Sequence, residues 1–173
     1  MITTEHIIVL VSALVASLLQ IFVAPHIAIG YALPNFIAAV TLVVTLLQPT
    51  IFKHGLPFAL GLVYDLVSGG PVGGMAFSLL VATAFASWFF QRSNNDTIFM
   101  GIATAALGIL IVELLYGILL LVFGVAGNLF EAFLHHTLPC LVYDVIITAV
   151  LYPLGARFLS GGAPVRTEIT QLH

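Results

Sequence analysis

Six apolar runs, each near the length of a membrane crossing, follow one another along the chain with only short breaks between them. A helix needs about 20 mostly apolar residues to cross the hydrocarbon core. The runs cover roughly 6–24, 33–50, 55–70, 72–91, 97–123 and 136–158. Composition leaves little choice of solvent. A water-soluble chain carries about 25% charged residues, whereas this one carries 6%, with a mean hydropathy of +1.21. The expected fold is an all-α polytopic membrane protein of six transmembrane helices. One transmembrane domain is expected over 1–159, followed by a polar cytoplasmic tail over 160–173.

The breaks carry turn chemistry: Pro25 and Gly30, Pro49, then "SGGPVGG", "QRSNND", "GVAGN" and "HHTLP". The third run is short and glycine-rich, so five crossings with a re-entrant third segment is the alternative. The N-terminal run has Glu5 and His6 where a secretion signal has a basic region, so it reads as the first span. Basic residues stay cytoplasmic. With six crossings and a cytoplasmic N-terminus, all four (Lys53, Arg92, Arg157 and Arg166) fall on that side. Both termini are then cytoplasmic. Four basic residues make no nucleic-acid footprint.

Against this background three acids stand out. "LVYDLVSGGPVGG" holds Tyr64 and Asp65; "LVYDV" repeats the pattern at Tyr143 and Asp144; "ILIVELLYGILL" holds Glu113. A carboxyl in a spanning helix must face protein and find donors. Asp65 has Gly61 and Gly69 four residues either side, and Asp144 has Cys140 and Thr148. Small neighbours are found where membrane helices approach closely. The acids and their tyrosines read either as a proton, cation or partner contact or as a structural polar lock. The bland packing role weighs about equally with the functional one.

Other chemistry is poorly supported. No serine has a histidine within a helical turn, so no catalytic residue is assigned. Glu131 and His135 are spaced for a shared metal but lack a third ligand, and Cys140 is the lone cysteine, so no metal or cofactor is expected. "GGPVGG" lacks the Lys-Ser/Thr of a phosphate loop and reads as a tight turn. Small residues form packing strips instead: Ser12, Ala13, Ala16 and Ser17 in the first run, Gly61 and Gly69 in the third, and Gly101, Ala105 and Gly108 in the fifth.

"GLVYDLVSGGPVGGMAFSLL" (61–80) resembles the signature of the rod shape-determining protein MreD family, a helix ending in Gly-apolar-Asp-apolar, a Pro-Gly turn and a long apolar helix. "LPNFIAAVTLVV" (33–44) and "LPCLVYDVIITAVLYPL" (138–154) are similar to its Pro-led second and last spans. Many members carry an acid where this chain has Asn35. The resemblance implies a non-enzymatic scaffold subunit of the bacterial cell-elongation complex, in the cytoplasmic membrane. Its implied partners are the single-pass MreC, with MreB, RodA and a class B penicillin-binding protein. The implied fold is similar to the substrate-binding subunits of energy-coupling-factor vitamin transporters. A vitamin-binding subunit is therefore the rival reading, with Asp65, Asp144, Tyr64 and Tyr143 as ligand contacts. A proton-coupled carrier is the third, but a four-residue echo is too short for the internal repeat it needs.

Overall fold

The computed structural model describes residues 4–29, 32–49, 55–93, 97–124 and 137–159, and these contain six α-helices and no strand. They are α1 (Thr4–Leu18), α2 (Phe36–Leu47), α3 (Leu56–Ser68), α4 (Gly74–Arg92), α5 (Ile98–Val122) and α6 (Leu138–Leu159). Beyond α1 the helix widens into a π turn over Leu19–Val23 and tightens to a 3₁₀ turn over Ala24–His26. Pro25 explains the change of winding. It has no N–H to return to the preceding turn, and its ring crowds the carbonyl four residues back.

Three helices, α4, α5 and α6, are long and apolar enough to cross a membrane. The expected second and third runs are corrected in length: α2 has 12 residues and α3 has 13. At 1.5 Å per residue α2 is roughly 18 Å long, well short of the ~30 Å hydrocarbon core. The cause is local. Asn35 caps the start of α2, its Oδ1 accepting the Ala38 N–H at 2.9 Å. Gln48 and Pro49 end it, because a residue before proline is pushed out of the helical region. α3 lies between Gly55 and Gly69, both left-handed.

α2 is the hub. It touches α1, α3, α4, α5 and α6, and all its residues but Val40 and Leu47 are buried. A helix that is apolar all round belongs inside. Thr41 and Thr45 fit there because each hydroxyl donates to the carbonyl four residues back, at 2.5 and 2.6 Å. Ile37, Leu42, Leu60, Met75, Leu79 and Ile109 pack around the hub as the core.

Side-chain contacts set the direction of every helix. At one end, Gln20 beyond α1 bonds Pro34 before α2, and Tyr143 near the start of α6 bonds Ile27. Tyr64 near the end of α3 meets Tyr116 near the end of α5 edge-on, with centroids 5.9 Å apart. At the other end, Gln48 after α2 donates to Leu159 O of α6 at 3.1 Å, and Gly101 near the start of α5 lies against Tyr152. Each helix therefore runs opposite to the one before it. Arg92 and Arg157 close α4 and α6 at the second end, while Asp65, Glu113 and Asp144 lie toward the first.

Candidate functional site

Asp65 sits one turn before the end of α3 and is 1% exposed. α3 ends at Gly69, and the chain reverses through Pro71 and Gly73 into α4. Gly69 and Gly73 have φ +67° and +94°, a conformation that costs other residues a Cβ clash. The reversal brings the first amides of α4 onto the Asp65 carboxyl. Gly73 N–H donates to Oδ2 at 2.8 Å, Met75 N–H to Oδ1 at 2.9 Å and Ala76 N–H to Oδ2 at 3.4 Å. These amides have no partner within α4, and the positive end of the helix dipole favours an acid there.

Asp144 makes the same kind of contact over a far longer chain distance. It is fully enclosed, and its Oδ1 accepts the backbone N–H of Asn35 at 2.7 Å, 109 residues away. Both tyrosine-flanked aspartates thus hold the start of another helix, Asp65 that of α4 and Asp144 that of α2. The donors that each aspartate needs are backbone amides, because helix starts leave N–H groups without partners.

Glu113, on α5, reaches Asp144: the two carboxyls are within hydrogen-bonding distance of each other. Tyr64 lies beside this pair and beside Tyr116. Tyr116 also covers the turn, since a Cβ on Gly70 or Gly74 would meet it. Tyr143 stands apart: its hydroxyl donates to Ile27 O at 2.7 Å on the exposed rim. Neither tyrosine bonds its neighbouring aspartate. Gln20, Tyr116 and the part played by Asn35 were not expected from the sequence. An Asn after a proline at the head of an apolar run is a legible capping signal; the other two have no local signal.

The small residues divide. A Cβ on Gly61 would run into the Ala76 backbone, so α3 and α4 touch there directly. Gly101 faces Tyr152, and Gly108 faces Leu42. Ala16 and Ala105 are fully buried, while Ser12, Ala13 and Ser17 are half-buried. Gly69 is corrected: it faces no neighbouring helix, being exposed with open space around it, and its glycine serves the turn. Glu131 and His135 lie outside the described residues, as do Lys53, Arg166 and the tail from 160. Among the described residues no three potential ligands gather for a metal ion.

Together these features define a helical membrane protein whose polar groups join helices to one another. The chain matches the family model of the rod shape-determining protein MreD over residues 1–160, and it belongs to that family. No curated protein and no solved structure matches it.

Proposed function

We propose that the protein is a non-enzymatic scaffold in the bacterial cytoplasmic membrane, where it holds an MreC-like single-pass protein within the cell-elongation complex. MreB, RodA and a class B penicillin-binding protein would be its wider company, and peptidoglycan synthesis the process it supports. The match to the shape-determining family carries this reading. The geometry is compatible with it. Asp65 is occupied by three backbone amides, which suits a part that positions helices.

Six crossings belong to the same proposal, with α2 and α3 reaching the interfaces through their flanking segments. So do a likeness to energy-coupling-factor substrate-binding subunits and cytoplasmic termini. The alternating helices and the gathering of Arg92 and Arg157 at one end support that orientation. The small residues of α3 and α5 are used inside the bundle. The strip with unspent surface is on α1, at Ser12, Ala13 and Ser17, and this is the proposed seat for the partner helix.

The test is affinity capture of the tagged protein from native membranes in mild detergent, with mass spectrometry of what accompanies it. A single-pass coiled-coil protein with cell-wall synthases is the expected catch. Paired ATPases with a shared transmembrane subunit would overturn the scaffold in favour of vitamin transport.

A further inference from the structure

The two oxygens of Asp144 have different surroundings. Oδ1 accepts the Asn35 amide. Oδ2 is buried, and among the described residues no donor reaches it. The Glu113 carboxyl on α5, itself only 9% exposed, lies within hydrogen-bonding reach of the Asp144 carboxyl. Two ionised carboxyls have no hydrogen to share, and in an apolar interior they repel. One proton removes both defects: as a carboxylic acid, one member of the pair donates to the other. A second buried group without a partner lies one turn further along the same face of α6, the Thr148 hydroxyl.

We propose that Glu113 and Asp144 together bind a single proton inside the bundle, and that this proton joins α5 to α6. Among the described residues, the titratable groups beside the pair are Tyr64 from α3, Tyr116 from α5 and Cys140 from α6. α2 presents Asn35, which does not ionise, and Arg92 and Arg157 lie at the opposite end. The proton comes from water and returns to it: one carboxyl O–H bond forms as a hydronium O–H bond breaks, and nothing is oxidised or reduced. Where the native pair holds a proton that the unfolded chain has released, stability falls as pH rises. The proposal does not depend on the identity of any partner.

Infrared spectra of the purified full-length protein in D₂O at neutral pH test it directly. The wild type should show the carbonyl stretch of a protonated carboxyl, and Glu113→Gln combined with Asp144→Asn should remove one carboxyl's intensity. A wild type without that band, or a double variant that keeps it in full, would overturn the proposal. In a second measurement, the wild-type melting temperature should drop as pH is raised through release of the proton. Glu113→Gln alone should flatten that drop, because its amide donates at every pH. A melting temperature that rises with NaCl over choline chloride, at fixed pH and ionic strength, would place a metal cation where the proton is assigned and would also overturn it.

Discussion

Asp65 and Asn35 show how much one polar side chain can carry in an apolar chain. Truncating Asp65 to Ala leaves the buried Met75 and Ala76 amides, and the half-buried Gly73 amide, without their acceptor. Each buried donor left unpaired costs about 1–3 kcal/mol. Asp65→Asn keeps an acceptor oxygen and should lose less. Chemical denaturation in detergent would order the three proteins; equal stability of Asp65→Ala and wild type would show that the tie carries no weight. Asn35→Ala removes the cap of α2 but keeps the backbone N–H that Asp144 accepts. It should cost about 1 kcal/mol, the usual worth of an N-cap, and a loss several times larger would mean the side chain also orders the pair of acids. These residues were visible in the sequence as oddities, an acid or an amide among apolar neighbours. Their partners were not, because Asp144 and Asn35 are 109 residues apart and only packing brings them together.

At the scale of helices, the glycines separate tight contacts from loose ones. At Gly61 the opposing atoms are the backbone of Met75 and Ala76, which cannot move without α4. At Gly108 they are the end of the Leu42 side chain, which can turn aside. Gly61→Ala should therefore cost more than Gly108→Ala, within the 1–3 kcal/mol usual for overpacking. Melting temperatures of the two variants in one detergent decide it, and the reverse order would mean that α3 and α4 separate easily. The half-buried strip of α1 gives a different signature. Ser12→Leu should lower recovery of the captured partner while leaving the melting temperature close to wild type. If recovery is unchanged, the seat lies elsewhere. The six helices of the described residues were legible from apolar runs and turn residues. The shortness of α2 was signalled by Pro34, Asn35 and Pro49, but the apolar run continues past these residues, and run length alone overstated the helix.

For the whole molecule, the alternating helix directions put the turn before α4 and the end of α4 on opposite sides. Val72 lies in that turn and is exposed, and Ser93 follows α4. With Cys140→Ser as background, Val72→Cys should react with a membrane-impermeant maleimide added to intact cells. Ser93→Cys should react only after the membrane is opened. Labelling of both from one side would remove the six-crossing arrangement. The sequence by itself determined the solvent, the helical class and the capping and turn residues that bound the helices. All of these follow from local composition, capping and turn chemistry, which act within a few residues. The tertiary structure alone decided that α2 is the hub, that each aspartate holds the start of another helix, and that Glu113 meets Asp144. Those outcomes depend on how each helix is rotated about its axis. Rotation is set by which small residues let two backbones touch, a property of pairs of helices that no single stretch of chain contains.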